Sequence, residues 1–207
     1  MDQIVFLAKG VAIGLAIAAP VGPIGVLCIR RSLNAGMLTG LVSGLGAAVA
    51  DAVYGAVAGF GLTSVSMFLL DHQAAIRILG GAALLVIGLR ILLAKAPAAG
   101  GPAGNNGRLA GAFASCFLLT LTNPTTILSF LAIFAGLGLA EWVRDYTAAA
   151  VLVAGVLLGS ALWWLFLSGA VSLVRARLSA AVLVWINRFS AAVMLLFGLL
   201  ALAAVFA

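Results

Sequence analysis

Pro20-Val21-Gly22-Pro23 interrupts one membrane-length apolar segment of this chain, and Asn123-Pro124 interrupts another. Each proline removes a backbone donor and clashes with the carbonyl one turn back, so it kinks or breaks a helix. Lipid cannot satisfy the freed backbone groups, so such breaks persist only where they are buried in protein or line a wet cavity. Breaks at corresponding places in two halves of a chain point to a transport site. The pattern predicts a small carrier.

The composition predicts an integral α-helical membrane protein. Of 207 residues, 65% are hydrophobic and only 8% are charged, whereas a soluble domain carries roughly 25% charged residues. About 20 apolar residues in a helix span the hydrocarbon core, so several spans fit. We expect one compact bundle with no appended soluble domain and no enzymatic site, metal or cofactor.

The apolar runs predict an all-α polytopic protein with six transmembrane helices. Their approximate bounds are 4–29, 37–61, 74–94, 109–139, 146–171 and 185–207. Between the last two spans, residues 174–184 carry arginines on one side and apolar residues on the other. This pattern predicts a short helix lying along the inner membrane surface.

The distribution of the basic residues behind the net charge of +6 predicts the orientation of the protein in the membrane. The basic residues stand singly or in pairs at segment ends, without a long basic run, so nucleic acid is not an expected partner. Odd-numbered connections are basic and even-numbered ones are near neutral or acidic, so the positive-inside rule places the odd ones in the cytoplasm and both termini outside. The odd connections hold Arg30, Arg31, Arg90, Lys95, Arg108, Arg175, Arg177 and Arg188; the even ones hold Asp71, His72, Glu141, Arg144 and Asp145.

A low-complexity stretch divides the chain into two halves of three spans. We expect residues 1–94 and 109–207 to be two repeats within a single transmembrane domain, joined by a linker at 95–108. Because three is odd, the second repeat must be inverted relative to the first. Pro23 and Pro124 share an offset with Gly10 and Gly111, as an inverted repeat would produce.

Asp51 is the most informative single residue about the predicted transport mechanism. It lies near the middle of the second span, where an ionised carboxylate costs about 2.5–3.5 kcal/mol. Helical spacing places it on a stripe of small residues that lets neighbouring helices approach closely: Gly40, Gly44, Ala47, Gly55 and Ala58. Intramembrane acids usually serve ion or substrate pathways, so we predict that Asp51 couples transport to protons. The alternative is a structural carboxylate bonded to a broken backbone.

The first break is the predicted substrate site on its side of the bundle. Pro20 and Pro23 expose carbonyls and half-helix ends, and Gly22 allows unusual dihedral angles. An amide end favours an anion and a carbonyl end a cation, which suits a zwitterionic amino acid. A merely structural kink is the alternative. Tyr54, one turn from Asp51, is predicted to hydrogen-bond the substrate.

The second break adds the densest polar cluster of any span: Thr120, Thr122, Asn123, Thr125 and Thr126. Threonine can bond its own helix backbone, so we assign substrate contact to Asn123, Pro124 and Thr125. Trp163 and Trp164 lie deep in the fifth span, where we expect packing, with a cavity-lining role for one of them as the alternative.

The residues resemble the LysE-type (lysine exporter) family. The resemblance covers nearly the whole chain and rests on Pro20-Val21-Gly22-Pro23, Arg30-Arg31-Ser32-Leu33, Gly36, Gly40, Gly44, Asp51, Asn123-Pro124 and Asn187-Arg188. It implies a bacterial inner-membrane exporter of amino acids or related small metabolites, driven by the proton gradient.

Two departures from the family's pattern bear on the substrate. The amino-acid exporters usually read Pro-Gly-Pro-Asn where this chain has Val21-Gly22-Pro23-Ile24, and many have Lys where Thr125 stands. Both changes remove polar groups from the site. The substrate's identity therefore stays open, as does the oligomeric state, a homo-oligomer included.

Two rival functions remain. A membrane thiol–disulfide electron carrier would use one cysteine in each half, and Cys28 and Cys116 have that placement, although the repeat offset does not relate them. An inorganic-cation exporter would want several oxygen or thiolate ligands. Asp51, Asn123 and the threonines make a thin site for one.

Overall fold

The structure is a computed structural model that describes residues 3–20, 22–60, 67–68, 71–93, 106–123, 126, 129–130, 133, 146–175 and 177–206. Seven long helices are present in this part of the chain. They are α1 (Gln3–Ala18), α2 (Pro23–Ala35), α3 (Met37–Gly59), α4 (Gln73–Leu93), α5 (Asn106–Leu121), α6 (Tyr146–Arg175) and α7 (Ala180–Ala203).

The helices have the length and composition of membrane spans. α3, α4, α6 and α7 can each cross a bilayer alone, and α1 with α2 can do so as a pair bent by 82°. Large apolar side chains such as Leu79, Phe166 and Phe189 point outward, as lipid contact requires. The prediction of an all-α membrane protein is confirmed with four or five spans in the described residues. The six-span count and the inverted repeat stay predictions.

The first predicted span is broken where its prolines stand. α1 ends at Ala18 and α2 begins at Pro23, a position that suits proline because the first amide of a helix has no intrahelical acceptor. The prediction about Gly22 is wrong in one respect. Its φ of −96° and ψ of −166° are extended values that any residue adopts. Among the described residues, the glycine with a positive φ is Gly36, at +94°, between α2 and α3.

The predicted first connection lies inside a helix. α2 continues to Ala35, and Gly36 alone separates it from α3, so Arg30 and Arg31 are helical residues. Placing both arginines in a loop was therefore wrong. The apolar run ends before them, but their side chains find partners within the bundle and the helix continues.

Arg31 joins three helices. Its guanidinium donates hydrogen bonds to the Ser43 hydroxyl of α3 at 2.9 Å, the Ser115 hydroxyl of α5 at 2.8 Å and the Ala112 carbonyl at 2.9 Å. The fixed fork of an arginine can serve several acceptors at once, which a lysine cannot do in the same geometry. α2 is thereby tied to α3 and α5.

Arg30 ties α2 to α7 in the same way. Its Nε donates to the Asn187 side-chain oxygen at 2.8 Å, and the Asn34 amide donates to that oxygen at 2.9 Å. α7 begins at Ala180, capped by Ser179, and α6 runs to Arg175. A separate interfacial helix at 174–184 is therefore a wrong prediction, because the two long helices occupy most of those residues.

α1 and α6 cross at glycines. A Cβ added to Gly10 would overlap the Leu152 carbonyl oxygen and approach the Gly155 Cα, and one on Gly159 would overlap the Val11 backbone. Close backbone approach at small residues is a common basis of helix association in membranes. Gly111, which shares the repeat offset with Gly10, has no neighbour within 4 Å of its Cβ position in the described residues. The two glycines therefore differ in packing.

We expect Gly10→Ala to destabilise the protein by about 1–3 kcal/mol, because the clashing atoms belong to a backbone that cannot rotate away. Gly111→Ala is the matched control. It has open space and gains helix propensity, so its thermal midpoint in detergent should equal or exceed that of the wild type. Equal midpoints for the two variants would contradict the tight crossing.

Candidate functional site

A cavity of about 260 Å³ lies where the two broken segments meet α3, α6 and α7. Its size is near the lower end of ligand pockets, roughly 300–1,000 Å³, so it suits a small solute. Apolar side chains from four helices form part of its wall: Ile17, Ile24, Ala47 and Phe197. Its polar groups are fewer and come mainly from α3, α6 and the second break.

The structure brings five of the predicted site residues to this cavity: Pro20, Gly22, Pro23, Asp51 and Asn123 all line it. Residues one hundred positions apart thus face one space. Pro124 and Thr125 lie outside the described residues. Contact of any of these residues with substrate stays a prediction.

The first break presents the start of α2 to the cavity. The first turn of a helix has backbone N–H groups without intrahelical acceptors, and Ile24 and Gly25 of that turn line the cavity. The aligned peptide dipoles give this end partial positive charge. No Lys, Arg or His is present among the described lining residues. The amide end of α2 is therefore the cavity's positive pole.

The second break is centred on Asn123. α5 ends at Leu121; the Asn123 amide donates to the Thr120 carbonyl at 3.2 Å, and its carbonyl accepts from the Thr126 amide at 3.1 Å. The hydroxyls of Thr120 and Thr122 donate to carbonyls one turn back in α5. These threonines bond their own helix as predicted.

Asp51 is the cavity's negative pole. Its side chain is 3% exposed and lies on α3. The Ser160 hydroxyl of α6 donates to Asp51 Oδ2 at 2.7 Å, and the Trp164 indole nitrogen donates to Ser160 Oγ at 3.1 Å. Trp164 itself lines the cavity.

Ser160 was missed in the sequence, and Trp164 was expected mainly to pack. A signal was present, because a serine and a tryptophan four positions apart share one face of a helix. Serine is common in apolar helices, so this spacing alone does not distinguish Ser160 from the other serines. Only the packing of α6 on α3 shows which serine faces the acid.

The stripe of small residues on α3 lets neighbouring helices approach closely, as its spacing predicted. A Cβ on Gly44 would overlap Cβ and Cγ of Trp164, and one on Gly40 would overlap the Ser32 side chain of α2. Gly55 faces Val156 of α6 at ordinary contact distance. α3 therefore brings α2 and α6 close enough for Trp164 to reach the cavity beside Asp51.

The side chain of Tyr54 contacts α5 and Phe130 rather than the cavity. Its hydroxyl donates to the Leu121 carbonyl at the end of α5, and its ring packs on Phe130 with centroids 5.6 Å apart. It is not among the described residues that line the cavity. Tyr54 and Asp51 lie on neighbouring turns of α3, but the structure does not place Tyr54 at the cavity that Asp51 and Asn123 line.

The two cysteines are close but enclosed. Cys28 Sγ and Cys116 Sγ are 4.0 Å apart, and each residue is 0% exposed. Thiol–disulfide exchange requires an accessible sulfur, so burial weighs against the electron-carrier alternative. Across the described ranges, no three His, Cys, Asp or Glu side chains group as a metal site would require. Asp51 is the acid on the described lining.

Comparison with known proteins identifies a family. The model of the LysE type translocator family matches residues 15–204. The chain is 29% identical over 158 residues to "Putative amino acid efflux protein YcgF" of Bacillus subtilis (strain 168), covering 74% of each chain. It is 30% identical over 154 residues to "Uncharacterized membrane protein YahN" of Escherichia coli (strain K12), covering 72% of this chain and 67% of that one. No solved structure matches.

We expect Tyr54→Phe to lower stability and leave substrate affinity unchanged. The change removes the donor that Tyr54 supplies to the Leu121 carbonyl, and a buried acceptor that loses its donor costs about 1–3 kcal/mol. The thermal midpoint and the half-saturating substrate concentration separate the two effects. Tyr146→Phe, at a tyrosine that is 72% exposed, is the control. A changed half-saturating concentration with an unchanged midpoint would instead support direct substrate contact.

Proposed function

This chain belongs to the LysE type translocator family, and from that premise we propose that it is a secondary-active exporter of amino acids or related small metabolites. It is a transporter and not an enzyme. The observation that carries the proposal is one cavity lined by both helix breaks and by Asp51. Alternating access around the broken segments would open this cavity to each side in turn.

The poles of the cavity favour a zwitterion. The amide end of α2 suits a carboxylate, and Asp51 suits an ammonium group. The indole ring of Trp164 adds a face that attracts cations. A relative whose name describes amino acid efflux points the same way. Ile17, Ile24 and Phe197 line the cavity beside these poles, which suits a substrate with an apolar side chain better than one with a charged side chain.

Helix packing supports two inverted repeats, residues 1–94 and 109–207, joined by the 95–108 linker. α1 packs on α6 as α5 packs on α3, so the first predicted span of each half contacts the second predicted span of the other. α3 packs on α6 and α4 on α7, pairing like with like. Exchanging the halves leaves this pattern unchanged, as a two-fold axis requires. Six spans complete the arrangement.

The proposed location is the bacterial inner membrane, with both termini outside. Arg175 at the end of α6 lies near Gly36, so the α2–α3 turn and the end of α6 share one end of the bundle. Arginines also stand close to this end on α2, at Arg30 and Arg31. Concentration of positive charge at one end supports its cytoplasmic placement.

We expect reporter fusions to place the 95–108 connection in the cytoplasm and the end of the chain outside. A phosphatase fused after Gly101 should be inactive, and one fused after Phe206 should be active, because the enzyme folds only outside the cytoplasm. A fluorescent protein at the same points should give the opposite pattern. Activity of the phosphatase at Gly101 alone would show that the orientation is inverted.

The substrate class is tested by uptake into inside-out vesicles with an imposed proton gradient. A panel of neutral, acidic and basic amino acids should show gradient-driven uptake of at least one neutral member. Divalent cations, and a variant with Cys28→Ser and Cys116→Ser, address the two rivals. Cation uptake without amino acid uptake, or loss of all uptake in the cysteine variant, would contradict the proposal.

We expect Asp51→Asn to exchange substrate with a raised half-saturating concentration, because the amide cannot pair with an ammonium group, and to fail to accumulate it. An inward proton yields about 2.3 kcal/mol per 100 mV, enough to drive a neutral solute roughly fifty-fold uphill. The amide keeps the size of the carboxylate and loses the proton. Counterflow and gradient-driven uptake separate the two activities, and Asp71→Asn, at an exposed acid, is the control. Gradient-driven uptake at the wild-type level would reduce Asp51 to a structural role.

A further inference from the structure

We propose that Ser160 and Trp164 form, with Asp51, a hydrogen-bond chain that links occupancy of the cavity to the proton on Asp51. Ser160 is a positioning residue in this chain, and Trp164 is its contact with the solute. The inference rests on the proposed export function. It adds residues and a direction that neither the helix breaks nor the buried acid supply.

The hydrogen bonds from Trp164 through Ser160 to Asp51 have a fixed donor-to-acceptor direction. An indole N–H can only donate, so the Ser160 oxygen accepts from Trp164 at 3.1 Å. The single hydroxyl proton of Ser160 is then left for Asp51 Oδ2 at 2.7 Å. This bond favours Oδ1 over Oδ2 as the oxygen that takes up a proton, because Oδ2 already accepts from the serine. Each member thus constrains the next, from Trp164 to the acid.

The two ends of the chain face the cavity and its middle does not. Asp51 and Trp164 line the cavity, whereas Ser160 is 0% exposed and absent from the described lining. A solute in the cavity therefore meets the indole and the carboxyl but not the serine between them. Movement of the indole away from Ser160 would free the hydroxyl to rotate and would weaken its bond to Asp51.

The position of the indole is set by α3. Gly44 leaves the space that Cβ and Cγ of Trp164 occupy, and Asp51 lies two turns further along the same helix. The helix that carries the acid thus also holds the tryptophan. A change in how α3 packs on α6 would therefore alter both contacts together.

The other charged and titratable groups near α3 are the candidates for pairing with Asp51 in place of Ser160. In the described residues, Ser160 is the hydrogen-bond partner of Asp51, and Tyr54 of the same helix is its titratable neighbour. The helices packed against α3 carry the following further groups: Lys9 on α1; Arg30, Arg31 and Cys28 on α2; Arg108 and Cys116 on α5; Tyr146 and Arg175 on α6. Arg31 donates to Ser43, Ser115 and a carbonyl rather than to Asp51.

The first test uses purified protein without substrate. A variant that keeps Trp164 as its sole tryptophan should change its emission between pH 4 and pH 9, because the indole senses the acid through Ser160. Asp51→Asn and Ser160→Ala in that background should abolish the change, and Ser168→Ala, at a buried serine without a hydrogen-bond partner among the described residues, should retain it. A pH response that survives Asp51→Asn or Ser160→Ala overturns the chain.

The second test measures linkage during exchange. Coupled sites typically alter each other's affinity by about five-fold or more, so the half-saturating concentration of a transported amino acid should vary with pH by that factor in the wild type. Ser160→Ala should reduce the variation to less than about two-fold and Trp164→Phe should reduce it in part, since the serine can still donate. Trp163→Phe, at a half-buried neighbour, is the control.

The two tests separate failure of the inference from failure of the proposed function. Exchange with an unchanged pH dependence in both Ser160→Ala and Trp164→Phe overturns the chain while export stands. A pH-sensitive Trp164 emission that depends on Ser160, in a protein that moves no amino acid, supports the chain and overturns the export proposal. If Trp164→Phe loses exchange altogether, the emission of Trp164 in the Ser160→Ala protein still tests the hydrogen-bond chain, because that measurement does not require transport.

Discussion

The rest of the structure depends on one constraint: backbone polar groups released by a helix break cannot face lipid. Two segments of this chain are broken, at 19–22 and at 122–123. Both breaks line the same cavity, which gives their freed groups a place away from the hydrocarbon. The glycines on α1, α3 and α6 bring the helices close enough to enclose that cavity. The small-residue stripe and the proline breaks are thus two requirements of one site.

Burial of a carboxylate is the second cost that the fold meets locally. An ionised acid in the membrane is unfavourable unless donors replace the water it lost. Ser160 supplies one such donor, and Trp164 orients it. A carboxylate with a neutral donor and no hydrogen-bonded cation in the described residues is less firmly held ionised than one in a salt bridge. This arrangement suits an acid that must bind and release a proton.

The sequence predicted features that local chemistry decides. Proline positions located the breaks, and helical spacing placed Asp51 with Gly44 on one face. Features decided by a partner distant in the chain were missed. Arg31 looked like a loop residue because its acceptors, Ser43 and Ser115, lie on other helices. The partner of the Tyr54 hydroxyl could not be predicted either, because the carbonyl that accepts from it belongs to α5.

The packing also distinguishes contacts that can move from contacts that cannot. α1 crosses α6, and α4 crosses α7, through glycines whose backbones are in contact, so neither pair can slide without a clash. α2 is held differently, by hydrogen bonds from Arg30 and Arg31 to neutral side chains and a carbonyl. Water can take the place of such acceptors, because each guanidinium N–H then still has an oxygen to donate to. The contacts of α2 with α5 and α7 are therefore hydrogen bonds that water could replace, whereas the crossings of α1 on α6 and of α4 on α7 are set by backbone packing.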